Sequence, residues 1–503
     1  MDCLFVNADA SRVAYQGLSD TYAAIEPPTW ALLLAQSCRA KGFGVGILDS
    51  CAERLSNEDS VKRIHEMKPK LVCFVVYGQN PNSGTVNMSG AIALAEDLKA
   101  AYPQYLTCFV GSHVSALPLE VLANNAVDFV LLNEGVYALH NLLRTDLAND
   151  LGKVKGIGRK EDGRLVLNEP EIVVPQDRMD TDLPGYAWDL LPMKNRPLDM
   201  YRAHFWHAEF NHDYRTPFAA LYTSLGCRFK CKFCMINILN RVNNSEGVAA
   251  SDSANMRFWS PGFMLRQFDQ LANMGVSTIR LCDEMFFLDK RYFEPLLEGL
   301  AGMGAGFRMW AYSRIDTVRP RFLELFKKAG VGWLALGIEA ASQLIRREVS
   351  KGTFEEVNIR KVIKDIGEAD INVISNYIFG FPEDTFDSMQ ETLDLALELN
   401  TEMANIYPCQ ALPGSPLYFE AQQNGWKLPE SYSGYGFLSY DSQPLPTRHL
   451  SAAEVLRFRD KAWQMYFKNP AYLEKVEKKF GAQQRKNVEA MAQIPLKRKL
   501  LGD

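Results

Sequence analysis

Short apolar runs alternate with amphipathic stretches through residues 1–150. The runs are "CLFVN" (3–7), "GVGILD" (44–49), "LVCFVVY" (71–77), "LTCFVG" (106–111) and "VDFVLL" (127–132). Between them lie helical patterns such as "WALLLAQSCRAKG", closed by a glycine, and "SGAIALAEDLKAAYP". Near-continuous apolar strands separated by helices predict a doubly wound, Rossmann-like parallel sheet covered on both faces. Ligands of such sheets bind beyond the carboxyl ends of the strands. Those ends carry "YGQNP" (77–81), "GSHVSALP" (111–118) and "NEG" (133–135).

Residues 151–205 break this rhythm. "GIGRKEDGRLVLNEPE" predicts a hairpin around Asp162-Gly163, and "DTDLPGYAWDLLP" is a proline-punctuated linker. A second alternation occupies 206–425, with strands "FAALYTS", "TIRLCDE", "GFRMWAYSR", "GWLALGIEA", "INVISNYIFG" and "ANIYPCQ". Six such units predict a partial (βα)6 relative of the eight-unit TIM barrel, active at the carboxyl ends of its strands. Residues 426–503 hold an aromatic loop, "ESYSGYGFLSYDSQPLPT", then a helical region opened by a capping box of Ser451 and Glu454.

Composition narrows the class. A 47% hydrophobic and 23% charged chain of 503 residues is that of an ordinary globular protein. A net charge of -5, spread along the chain, argues against nucleic acid as a partner. The stretch 471–503 is locally basic, which reads as a solvated helical face. No apolar run approaches the roughly 18 residues of a membrane span. The amino terminus does not read as a signal peptide. Ten cysteines without an export signal point to a reducing, cytoplasmic setting, where thiols stay free or bind metal.

"LGCRFKCKFC" (225–234) gathers Cys227, Cys231 and Cys234 on the loop after the first strand of the second alternation. A structural zinc site or an electron-transfer cluster wants four protein ligands, so three leave a coordination position open. A zinc knuckle with its fourth ligand elsewhere remains an alternative. So does a zinc deaminase, because "HAE" (207–209) followed by "CKFC" is similar to its H-x-E…P-C-x-x-C signature. Against the latter, Lys230 stands where proline is expected and Cys227 has no role. Cys282 and Cys409, near other strand ends, read as buried core cysteines.

"CRFKCKFC" resembles the CxxxCxxC signature of radical S-adenosylmethionine (SAM) enzymes, the aromatic residue before the last cysteine included. The resemblance implies a four-iron four-sulfur cluster on the three cysteines, with SAM chelating the open iron. It further implies SAM contacts at Phe233, at Asp283 and Glu284 in "RLCDEMFF", and at Ser313 and Arg314 in "YSRIDT". Glu339 in "GIEAAS" and Gly380 in "NYIFGFPEDT" complete that set, and "ALPGSPLY" (411–418) is similar to a later family segment.

An amino-terminal α/β domain before such a barrel resembles the cobalamin-binding branch of the family, of class B methyltransferase type. "AIEPPTW" (24–30) and "GSHVSALPLEVL…VDFVLLNEG" carry that likeness. They imply cobalamin contacts at Glu26, Pro27, Gly78, Gln79, Gly111, Ser112, His113, Val114, Asn133, Glu134 and Gly135. The D-x-H-x-x-G motif that donates a histidine to cobalt is absent, and His113 is the candidate substitute.

The family implies that an adenosyl radical takes hydrogen from the substrate, whose carbon radical then receives a methyl group from methylcobalamin. A second SAM restores the methyl group. The expectation is therefore methylation of an unactivated carbon of a small-molecule substrate, with electrons from a flavodoxin or ferredoxin. Cobalamin-using radical rearrangement or cyclisation is the alternative, and a cobalamin sensor a remote one. A methylthiotransferase would want a second cysteine cluster. No catalytic residue is assigned; His207 and Tyr377 are the candidates. Substrate contacts are sought at Trp206, His207 and His212, and at Tyr432, Tyr435, Phe437 and Tyr440 of the aromatic loop.

Overall fold

The computed structural model describes residues 1–503 except 79, 146, 242–248 and 350–356. Gln79 therefore lies outside the described residues.

The apolar runs become β1 (Cys3–Asn7), β2 (Val45–Asp49), β3 (Leu71–Val76), β4 (Leu106–Gly111) and β5 (Phe129–Leu131). All pair in parallel, in the order β2-β1-β3-β4-β5. Every residue of β3 is buried, which is why its run is apolar without alternation. Cys3 and Phe5 pack with the helix Thr29–Ala40 on one face. Leu4 and Val6 pack with Met88, Ala91 and Leu94 of the helix Gly84–Ala101 on the other. From β1 the chain crosses to β2 on one side and then to β3 on the other. The topological switch point, where such sheets open a crevice, thus lies between the ends of β1 and β3.

The hairpin at Asp162-Gly163 forms between β6 (Ile157–Glu161) and β7 (Arg164–Leu167), with both turn residues at positive φ as a tight two-residue turn requires. It belongs to the first sheet, because β6 pairs antiparallel with β5 and extends that sheet to seven strands. Without it β5 would present an open edge, and the buried half of β6, Ile157–Arg159, covers that edge.

After β8 (Phe218–Leu221) come two short strands that the apolar pattern did not announce, β9 (Ser224–Cys227) and β10 (Asn255–Phe258), paired antiparallel. The remaining expected strands follow as β11 (Thr278–Leu281), β12 (Arg308–Arg314), β13 (Val331–Glu339), β14 (Asn372–Phe379) and β15 (Met403–Pro408). They form one parallel six-stranded sheet in which β8, β11, β12, β13, β14 and β15 are neighbours in chain order. This is the partial barrel.

The capping box at Ser451 opens the helix Ala452–Phe467, which lies on this sheet through Phe458 against Phe379 and a 2.7 Å bond from Arg459 Nε to the Ile406 carbonyl. The basic stretch beyond it is only partly a solvated face. Lys475 and Lys479 each reach Glu402 at 3.0 Å, and buried Arg498 pairs with Asp460 at 2.8 Å. Among the described residues no helix is long and apolar enough to cross a membrane.

Candidate functional site

A cavity of about 530 Å³ lies between the first sheet and the inner face of the barrel. The first domain supplies the loops after β1 (Asn7–Ser11) and β3 (Tyr77, Gly78, Asn80, Asn82, Ser83), the two sides of the switch point. The barrel supplies alternate residues along much of three strands, Trp310, Tyr312 and Arg314 from β12, Ala335 and Gly337 from β13, Asn376 and Ile378 from β14, with Ser313 also on the wall and consecutive residues from β15. Alternation follows from the two-residue repeat of a strand, which turns every second side chain inward.

The cysteine loop sits at the carboxyl end of β8. Gly226 has φ +84 and packs so closely on β10 that a Cβ would collide with the Asn255 carbonyl oxygen. Asn237 braces the turn by accepting from Cys227 N at 3.1 Å and donating to the Phe229 carbonyl at 3.3 Å. Burial and the two neighbouring thiols push the Cys234 thiol up, so without a cationic partner this sulfur stays protonated. Among the described residues no three Cys, His, Asp or Glu side chains converge on a single ion. Three thiols on one loop fit a multi-iron cluster better than a lone zinc. Cys282 and Cys409 are buried as expected of core cysteines.

Of the sequence-predicted SAM residues, Phe233, Glu284, Ser313, Arg314 and Glu339 line the cavity. Phe233 packs on Phe381 at 5.6 Å, and the Arg314 guanidinium lies 3.7 Å over the Phe229 ring while pairing with Asp316 at 2.7 Å. Glu339 stands at φ +67 where β13 bulges against β14, a strained conformation of the kind stored at functional sites. Burial pushes the Glu284 carboxyl up to about 8, with Asp283 adding to the shift and Arg280 opposing it. Its Oε1 is buried without a partner.

The other two of that set do not line the cavity. Asp283, just past the end of β11, turns away from the cavity and accepts from Thr223 N (2.8 Å), Thr223 Oγ1 (2.7 Å) and Ser224 Oγ (2.5 Å). It braces the approach to the cysteine loop. Gly380, at φ +89, makes room for Val455 of the helix Ala452–Phe467 and is not on the cavity wall.

In the first domain Glu26, Pro27 and Gly78 line the cavity, and the residues at the ends of β4 and β5 do not. A Cβ at Gly111 would strike the Val76 carbonyl oxygen, so this glycine serves sheet packing. Ser112 Oγ donates to the Pro81 carbonyl at 2.5 Å, and Val114 is in the core. His113, the candidate cobalt ligand, is not on the cavity wall. Its Nδ1 is 3.2 Å from Thr85 Oγ1 and its Nε2 3.3 Å from Glu120 Oε1, so both nitrogens are engaged. Asn133 donates to the Arg241 carbonyl at 2.9 Å. Glu134 forms a buried ion pair with Arg257 at 2.9 Å, and a Cβ at Gly135 would press on Val110. These residues join the first domain to the β10 region.

Both catalytic candidates also move. His207 is buried where the strands begin, its Nε2 donating to the Arg308 carbonyl at 3.3 Å and its ring against Phe218. Tyr377, between the inward-facing Asn376 and Ile378, is fully buried away from the cavity. The deaminase reading loses its geometry, since His207 lies at the opposite end of the barrel from the cysteines. Trp206 does line the cavity, with its ring 5.1 Å from Trp310; His212 does not. In the aromatic loop Tyr435 and Phe437 form cavity wall, Tyr432 packs edge-on to His113 at 5.0 Å, and Tyr440 bonds the chain end at 2.9 Å.

Sequence reasoning missed a polar aromatic nest around Arg280. This guanidinium is fully buried, pairs with Glu26 of the first domain, donates to Tyr312 Oη at 3.0 Å and lies 4.8 Å over Trp310. Glu26 Oε1, Trp310 Nε1 and Tyr77 Oη are buried and unpartnered on the cavity wall. Buried polar atoms are nearly always paired, so orphans gathered around one cavity fit a large ligand with polar edges. The visible signal was Trp310, Tyr312 and Arg314, large residues at every second position of one strand.

Residues 221–396 match the model of the radical SAM superfamily, and residues 15–143 that of the B12 binding domain. A protein described as an uncharacterized methyltransferase of Pyrococcus horikoshii is 24% identical over 456 residues, 89% of either chain. An anaerobic magnesium-protoporphyrin IX monomethyl ester cyclase of Cereibacter sphaeroides is 24% identical over 454 residues, 86% of this chain and 65% of its own. Among solved structures, the radical SAM methyltransferase TsrM of Kitasatospora setae, with cobalamin and a [4Fe-4S] cluster bound, aligns at TM-score 0.66 and 14% identity. That alignment covers 98% of this chain and 100% of TsrM. The cobalamin-dependent SAM radical enzyme OxsB, with aqua-cobalamin and SAM bound, aligns at TM-score 0.67 and 15% identity, covering 98% of this chain and 71% of OxsB. At such identities the structural likeness speaks for the fold.

Proposed function

Because this chain joins a B12-binding domain to a radical SAM domain, and so belongs to the radical SAM proteins with a cobalamin-binding domain, we propose that it transfers a methyl group to an unactivated carbon of a small molecule. The observation that carries this reading is a single cavity bounded on one side by the switch point of the first sheet and on the other by Phe233 of the cysteine loop and the barrel strand ends.

Cys227, Cys231 and Cys234 hold the cluster, and the loops after β1 and β3 hold cobalamin. When bound, these groups supply reductive cleavage of SAM and methyl transfer to a carbon radical. The chain supplies position and shielding. Glu284, the unpartnered carboxylate beside the cysteine loop, accepts from the amino group of SAM. Arg314, held over Phe229 by Asp316, faces its carboxylate, and Glu339 accepts from its ribose. The nest of Glu26, Arg280, Trp310 and Tyr312 receives a flat substrate with polar edges, and Trp206 and Phe437 close it off from water.

The cyclase among the relatives supports a second reading, radical cyclisation without methyl transfer. Protein prepared without oxygen from cobalamin-supplied cells decides between them. About four iron, four sulfide and one cobalt per chain is the expected content. S-adenosylhomocysteine formed together with 5′-deoxyadenosine identifies methyl transfer through two SAM molecules, and 5′-deoxyadenosine alone favours cyclisation. Zinc in place of iron overturns both. A flavodoxin or ferredoxin is the expected reductant in that assay.

A further inference from the structure

One polar side chain of the first domain bonds to the cysteine loop directly. Asn82 lies in the turn Pro81–Ser83, five residues beyond the end of β3, on the cavity wall. Its Nδ2 donates to Cys234 Sγ at 3.7 Å, and its Oδ1 accepts from Met235 N at 3.0 Å. The turn itself is fixed: Asn80 Oδ1 accepts from Asn82 N at 2.9 Å, and Ser112 Oγ donates to the Pro81 carbonyl at 2.5 Å. Asn82 therefore reads the cysteine loop from a rigid base 152 residues away in sequence.

We propose that Asn82 is a positioning residue that sets how readily the cluster on Cys227, Cys231 and Cys234 accepts an electron. This rests on the reading of those cysteines as cluster ligands. Reduction places added negative charge on the cluster and its sulfurs. A donor aimed at one sulfur stabilises the reduced form more than the oxidised form and raises the potential. An asparagine suits the position because one group donates to sulfur while the other accepts from the backbone beside it. The same turn edges the crevice assigned to cobalamin, so the residue that tunes the cluster belongs to the wall of the second cofactor's site.

The test is potentiometric titration of the reconstituted full-length protein, followed by the electron paramagnetic resonance of the reduced cluster, after iron and sulfide are counted. Asn82→Leu is expected to keep its iron and to show about a tenfold lower ratio of reduced to oxidised cluster at a fixed potential, a midpoint about 59 mV lower for one electron. Asn82→Asp, isosteric but without the donor, is expected to shift in the same direction. Unchanged midpoints in both iron-loaded variants overturn the proposal. Loss of iron in both also overturns it, since Asn82 would then only hold the loop. Absence of a cluster from the unaltered protein instead overturns the reading beneath.

Discussion

The carboxyl ends of the barrel strands and those of the first sheet carry equally suggestive residues, yet they behave differently. In the barrel, Phe233, Glu284, Ser313, Arg314 and Glu339 reach one cavity from four successive loops and strands. In the first domain the loops after β1 and β3 reach it, while Gly111–Val114 and Asn133–Gly135 are absorbed into packing. A curved sheet aims all its strand ends at a common centre. An open sheet exposes only the crevice where its crossovers part, here between β1 and β3. Proximity to a strand end is therefore good evidence of function in the first geometry and weak evidence in the second.

The contrast can be broken at Glu134. If it serves domain packing, Glu134→Ala leaves Arg257 buried and unpaired and costs about 3–5 kcal/mol in thermal or denaturant unfolding. A stable variant that has lost cobalamin would restore Glu134 to the ligand. Glu284 tests the other side. Its carboxyl is raised from 4.5 to about 8 by burial, so the folded protein binds the extra proton between these values. Relative to Glu284→Gln, the ligand-free protein is most stable below about pH 4.5 and loses a few kcal/mol as pH rises through 8. A difference between the two that does not vary with pH would remove Glu284 from its buried, unpartnered place.

Gly380→Ala sharpens the comparison within the barrel. Collision with Val455 at a positive φ is expected to cost about 1–3 kcal/mol without weakening SAM binding by calorimetry. Weakened binding at unchanged stability would return Gly380 to the nucleotide. The smallest effect is expected at His113→Ala, about 1 kcal/mol for its lost hydrogen bonds. The visible spectrum of bound cobalamin should not move, and a shift would make His113 a cobalt ligand after all.

Much was legible in order of locality. The five buried runs, the six barrel strands, the Asp162-Gly163 turn and the capping box at Ser451 follow from periodicity and turn chemistry, which act within a few residues. The cysteine triad was legible because one loop holds it. The pairing of β9 with β10 was not, since four residues carry too little pattern. Nor was the allegiance of the hairpin, which answers to the open edge of β5. The nest on Arg280 joins Glu26 to β11 across 254 residues, and no local signal spans that distance.

The sequence by itself determined which segments become strands and helices, where the thiols gather and which chemistry they can support. Only the tertiary structure decided which polar residues face the cavity. Of adjacent Asp283 and Glu284 only the latter lines the cavity, both nitrogens of His113 are engaged, and Asn82 meets Cys234. Side-chain direction and partner supply are set by register, crossover order and domain contact. Those are properties of the assembled sheets, and no single segment carries them.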